Sequence, residues 1–145
     1  MHPGPPLIEA AIAQLDRRWP GGDGVAAALA LDDGSIVTSV GLDNFNAAVN
    51  LCAETGALCQ AFTLDRAVTA TACVARVGED IVVLAPCGVC RERLALWGPD
   101  VQALVPDRDA PEGWEALSLA ELNPHYWAQQ FTAGGVWPSA AEHSG

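Results

Sequence analysis

The chain has 145 residues, half of them hydrophobic, and its 18 acidic against seven basic side chains give a formal net charge of −11. That length and apolar content exclude a disordered chain and suit one domain that buries its core without disulfides. The charge excludes a polynucleotide substrate: gripping a phosphate backbone takes clustered basic side chains, and here they are scattered apart from Arg17-Arg18 and Arg91-Glu92-Arg93.

A membrane partner is not expected either. The longest apolar runs, such as Val25 to Leu31, are too short to span a bilayer, and residues 1 to 20 carry Glu9 and Asp16 and lack the apolar stretch of a signal peptide. A cytoplasmic location follows. There five cysteines, an odd number for a disulfide framework, stay reduced, and metal binding is their leading use.

In chain order, residues 1 to 6, with His2 and three prolines, are expected as a disordered lead to a single domain over 7 to 131. Leu7, Ile8, Ala11, Ile12, Leu15 and Trp19 form the i, i+3, i+4 stripe of an amphipathic helix that Pro20-Gly21-Gly22 ends. Val25 to Leu31 and Ile36 to Val40, joined by Asp32-Asp33-Gly34-Ser35, predict a hairpin. Gly41 to Asn50 is a polar loop suited to delivering hydrogen-bond groups to a pocket.

Leu51 to Leu64 predicts a buried helix with Leu51, Leu58 and Phe62 on one side. Val68 to Val77 is a strand, Gly78-Glu79-Asp80 a turn, and Ile81 to Ala85 an apolar run of the kind found in central strands buried on both faces. Cys87 to Trp97 is a helix, Val101 to Val105 a strand, and Asp107 to Gly113 an acidic loop. Leu117 to Leu122 and Tyr126 to Phe131 are expected as short helices, and 132 to 145 as a loose tail. This order implies an α/β fold, a mixed sheet with helices on both faces, whose ligands gather at the carboxyl ends of strands.

Two short motifs carry the chemistry: Cys52-Ala53-Glu54 and Pro86-Cys87-Gly88-Val89-Cys90. Catalytic zinc takes three protein ligands and leaves a fourth position open, a count that Cys52, Cys87 and Cys90 meet. The two-residue gap turns both later sulfurs inward on one helical turn, and Cys52 approaches from another helix start. The helix dipoles then face the excess negative charge of three thiolates on one Zn²⁺. Zinc lowers the pKa of water to about 7. Glu54, two residues beyond a ligand, is placed to carry protons between that water, a substrate and its leaving amino group.

These motifs resemble the zinc-dependent cytidine deaminase superfamily, in its three-cysteine form with a nonligand Glu as acid and base. The likeness runs from about Val25 to Tyr126 and is nearest to the free-nucleoside enzymes, cytidine deaminase and blasticidin S deaminase. Glu121-Leu122-Asn123-Pro124 with Tyr126 and Trp127 is similar to the closing segment of the latter, in which an aromatic follows Glu-Leu-x-Pro; either ring is its counterpart, and both, like Phe45, are candidate substrate contacts beside the alternative of ordinary packing. The resemblance implies a three-layer α/β/α sandwich on a sheet of about five strands. It also implies a homo-oligomer, a tetramer before a dimer, and hydrolysis at C4 of a cytosine nucleoside to uracil and ammonia, the backbone at Ala53 meeting the base.

Two positions depart from the family. Thr55 stands where cytidine deaminases place an Arg beside the thiolates, leaving Arg91 as the expected electrostatic support. Asp43-Asn44-Phe45-Asn46 stands where they carry Asn-x-Glu for the ribose, so Asp43, Asn44 or Asn46, with Phe45 beside them, is expected to bind the sugar. Both departures raise a second substrate class, aminonucleoside antibiotics such as blasticidin S. A noncatalytic zinc-binding assembly module is the alternative of another kind, and a closed structural zinc site would need a fourth ligand. Cys59 and Cys73 are expected as buried fillers, and His2, His125 and His143 as surface residues.

Overall fold

The computed structural model describes residues 2 to 138. Its helices are α1 (Gly4–Arg18), α2 (Glu54–Thr63), α3 (Gly88–Leu94) and α4 (Leu119–Leu122). The strands are β1 (Gly24–Leu31), β2 (Ile36–Val40), β3 (Val68–Val77), β4 (Asp80–Leu84), β5 (Gln102–Pro106) and β6 (Trp114–Ser118).

The strands form one six-stranded sheet in the order β2-β1-β3-β5-β6, with β4 also paired to β3. Among the described residues only the β3–β5 pairing is parallel, so the sheet is mixed. Alternation of side chains along the strands makes two cores. On one face Leu7, Ala11 and Leu15 of α1 pack on Ala26, Ala28, Ala70, Ala72, Val74 and Leu104. On the other, Ala57, Leu58 and Ala61 of α2 and Leu94 of α3 pack on Leu29, Leu31, Val68 and Val101. Alanines at Ala26, Ala28, Ala70 and Ala72 bring α1 close to the sheet. The result is the expected three-layer α/β/α sandwich, with one strand more than the five foreseen.

That strand is β6. Leu117 and Ser118, expected in a helix, pair with Ala103 and Gln102, and the helix begins only at Leu119 behind a Ser118–Glu121 capping box. The apolar run at Ile81 is no central strand: among the described residues β4 pairs with β3 alone, and Ile81, Val82 and Leu84 are exposed. An apolar run reports hydrophobicity but not the number of neighbouring strands. Leu51 and Phe62 are likewise exposed, leaving Leu58 as the buried member of that side.

The lead is shorter than foreseen. Pro5 and Pro6 lie in the first turn of α1, where proline's missing N–H costs nothing, and Gly4 lies so close to Trp114 that a Cβ would meet its ring at 2.1 Å. In the expected loose tail, Ala133–Gly135 forms a short turn and Trp137 stacks on Tyr126 with ring centroids 4.2 Å apart. Positions 139 to 145, including His143, lie outside the described residues.

Candidate metal centre

The metal-binding motifs meet where β3 changes partners. Its first half pairs with β5 at Ala70 and Thr71, and its second half pairs with β4 from Cys73 onward. The chain returns along β4 to Leu84, opposite Cys73, and passes through Ala85 and Pro86 to Cys87, the N-cap of α3. Cys90 follows on the first turn of that helix, and Cys52 stands in the turn just before α2.

The three Sγ atoms lie within 4.8 Å of one another, and those of Cys52 and Cys87 are 3.4 Å apart. Two sulfurs about 2.3 Å from one tetrahedral zinc would be separated by about 3.8 Å, so the spacing suits a single ion. Cys90 is buried, Cys52 half-buried and Cys87 exposed, which leaves one side of the triad open. Among the described residues the donor set is three soft sulfurs with no fourth His, Cys or carboxylate in the group, the count of an open site.

Glu54, 4% exposed, stands at the start of α2 with its Oε2 3.4 Å from the Cys90 Sγ. Burial, then the Glu54 charge and the other two cysteines, push the Cys90 thiol well up. The Cys87 hydrogen bond and burial raise that of Cys52. At Cys87 burial acts the same way but is outweighed by the backbone N–H groups of Cys90 and Val89 and by its neighbouring thiols, which hold it below the ordinary thiol value. Crowded sulfurs beside a carboxylate are a site for a cation, which would draw the protons off.

Beside the triad opens a cavity of about 300 Å³ lined by Asp43, Cys52, Ala53, Glu54, Cys73 and Cys87 together with Trp19, Asp23 and Val25. Three of its lining residues are acidic and none is basic. Of the residues expected to meet substrate, Asp43 and Ala53 are here. Asn44 and Asn46 instead fasten their own loop: the Asn44 Oδ1 accepts from the Asn46 N–H at 3.1 Å, and the Asn46 Oδ1 from the Ala48 N–H at 3.1 Å. Phe45 is fully exposed.

Tyr126 and Trp127 line a different cavity, of about 1030 Å³, between α2, α3 and the segment after α4. Both donate to the carboxylate of Glu92, the Tyr126 hydroxyl at 2.9 Å and the Trp127 Nε1 at 3.1 Å. Arg91 turns to carbonyls, its Nε donating to Pro86 at 2.9 Å and a terminal nitrogen to Leu122 at 3.4 Å, so it braces the second motif. Cys73 is buried as expected; that burial, then the charge of Glu54 and the hydrogen bond to it, raises its thiol strongly. Cys59 is exposed, on the face of α2 toward the larger cavity, and is not a core filler. His2 and His125 are exposed.

Sequence reasoning passed over Trp19, Asp23 and Ser39. Trp19 fitted the helical stripe and Asp23 stood in a turn. Ser39, whose hydroxyl accepts from the Ala57 N–H at 2.8 Å, carried no signal beyond a polar residue in an apolar strand.

The fold and the site define an α/β/α protein with a three-cysteine metal-binding site. No family model and no curated protein matches the sequence. Solved structures do. The cytidine deaminase from Bacillus anthracis is 38% identical with a TM-score of 0.79, over 87% of this chain and 90% of that one. That from Mycobacterium leprae is 27% identical, with a TM-score of 0.66 over 83% and 96% of the two chains. That from Mycobacterium tuberculosis is 29% identical, with a TM-score of 0.63 over 83% and 94%. The chain belongs to the cytidine deaminase family. Among the described residues no helix is long and apolar enough to cross a membrane.

Proposed function

We propose that the protein is a zinc-dependent deaminase that hydrolyses a free cytosine nucleoside, cytidine or deoxycytidine, to the uracil nucleoside and ammonia. The observation that carries this is the buried carboxylate of Glu54 in the wall of the cavity, 3.4 Å from the innermost sulfur of the triad. Cys52, Cys87 and Cys90 would hold the zinc, which when bound supplies the Lewis acidity that makes water nucleophilic near neutral pH.

The chain's own groups do the rest. Glu54 takes one proton from the water as it adds at C4 and passes it to the ring nitrogen, then takes the second from the hydroxyl now on C4 and passes it to the departing amino group. The C4–N bond breaks, ammonia leaves, and C4 keeps the oxygen. The Ala53 backbone meets the base, and Asp43 faces the sugar hydroxyls, with Asn44 and Asn46 shaping its loop and Phe45 at its tip. A wall with three carboxylates and no basic residue suits an uncharged nucleoside and repels a nucleotide phosphate. The same wall supports a second reading, an aminonucleoside antibiotic such as blasticidin S, whose cationic group it would attract.

The exposed Phe62, Trp127 and Phe131 around the larger cavity support a homo-oligomer, tetramer before dimer, in which Tyr126 and Trp127 approach substrate across a subunit boundary. The test is ammonia release by zinc-loaded protein from cytidine, deoxycytidine, cytidine monophosphate and blasticidin S, with light scattering for the assembly. Release from neither cytidine nor deoxycytidine sinks the first reading, and release from blasticidin S alone establishes the second.

A further inference from the structure

α2 begins without a side-chain cap of its own. Its N-cap position is occupied by Ala53, which has helical dihedrals (φ −57°, ψ −30°) and no side chain able to cap. The flanking residues, Cys52 and Glu54, are occupied by the metal centre and the cavity, so no residue of the motif is free to serve the helix end.

Ser39, on β2, serves it instead. Its hydroxyl donates to the Ala53 carbonyl and accepts from the Ala57 N–H at 2.8 Å. Those two backbone groups are the partners of the first i→i−4 bond of α2. At α1 the equivalent bond is direct, Leu7 N–H to Pro3 at 3.3 Å, and at α3 it is Arg91 N–H to Cys87 at 2.8 Å. At α2 a side chain from another element bridges the pair instead.

The approach depends on Gly56. A Cβ there would stand 2.8 Å from the Ser39 Cβ and 3.4 Å from its Oγ, so Ser39 fills the space an alanine would need. One turn further on, the Gln60 side-chain amide donates to the Thr38 carbonyl at 3.1 Å and fastens the same helix face to the same strand.

We propose that Ser39 is a positioning residue of the metal centre: with Gly56 it forms a hydroxyl wedge that fixes the Ala53 peptide, and through it sets Cys52 and Glu54 against Cys87 and Cys90. The proposal rests on the deaminase reading for its kinetic effect, though not for its geometry. Removing the hydroxyl lets the Ala53 carbonyl close onto the Ala57 N–H, turning the peptide that joins Ala53 to Glu54.

The test compares the parent with Ser39→Ala, which keeps the Cβ, and with Gly56→Ala, which keeps the hydroxyl but displaces it. With zinc fully loaded, kcat on cytidine is expected to fall about ten- to hundredfold in both, as for residues that orient metal ligands. Cobalt(II)-loaded protein gives a measure independent of turnover, because its thiolate-to-metal absorption depends on the placement of Cys52. A displaced band at unchanged metal stoichiometry is expected. An unchanged cobalt spectrum overturns the proposal, as does an unchanged kcat. Should Ser39→Ala not fold, Gly56→Ala decides. A parent inert toward cytidine counts against the deaminase reading, and the cobalt spectra then judge the wedge alone.

Discussion

Tyr126 is the only tyrosine of the chain, so its ionisation is read without assignment. It is 5% exposed, stacked on Trp137, with its hydroxyl donating to Glu92. Burial, then the hydrogen bond to Glu92 and the charge of that carboxylate, push its pKa from the ordinary 10.0 to about 12. The folded chain therefore keeps the proton to higher pH than the unfolded chain. The associated stability is complete below about 10 and is lost as the pH rises through about 12. Two pKa units are worth at most about 3 kcal/mol, and solvent entering the open cavity reduces this to about 1 to 2 kcal/mol.

The assay is tyrosinate absorbance against pH, with far-ultraviolet circular dichroism showing that the chain stays folded. Glu92→Gln keeps an oxygen acceptor and removes the charge, so the midpoint should move down without reaching the ordinary value, because burial remains. A folded parent titrating at the ordinary value, or a midpoint indifferent to Glu92→Gln, would refute the reasoning.

Three further outcomes are expected. Glu54→Gln should bind zinc as the parent does and lose about 10²- to 10⁴-fold in ammonia release, measured with a metal assay on the same sample; retained turnover would remove Glu54 from the mechanism. Stripping zinc with a chelator should lower the melting temperature as well as abolish turnover, since an ion held only by the folded chain stabilises it by about 4 kcal/mol at a thousandfold excess over its Kd. Both losses should reverse on adding zinc back. Leu94→Ala, at a fully buried side chain where α3 meets the sheet, should cost about 2 to 5 kcal/mol in urea unfolding, while a conservative change at exposed Val89 should cost little.

The metal centre was legible because its chemistry is local in sequence: two motifs, each within one turn, carry all three sulfurs and the carboxylate. α1 was legible because its apolar residues follow a helical period, and the β1–β2 hairpin and β3 because apolar, β-rich runs are bounded there by turn residues. What stayed hidden depends on neighbours that the chain brings from far away. Ile81 to Leu84 has the composition of a central strand, yet only pairing decides that it lies at a margin. Leu117 and Ser118 favour a helix locally until β5 offers them a ladder. Tyr126 and Trp127 resemble pocket-closing aromatics, but within one chain Glu92, between two arginines and without a motif, holds them elsewhere. Ser39 could not be found at all, because its partners lie 14 and 18 residues away on another element.

The turn at Gly78 and Glu79 lies at the far end of the β3–β4 hairpin from the sulfurs. Pairing from Val77–Asp80 down to Cys73–Leu84 fixes Leu84, and with it the entry to Cys87, independently of what joins the two strands at the tip. The hairpin thus works as a ruler whose graduations are counted from the metal end. Its tip is an attachment point where a peptide tag or reporter can be grafted without changing the distance at which the second motif is delivered.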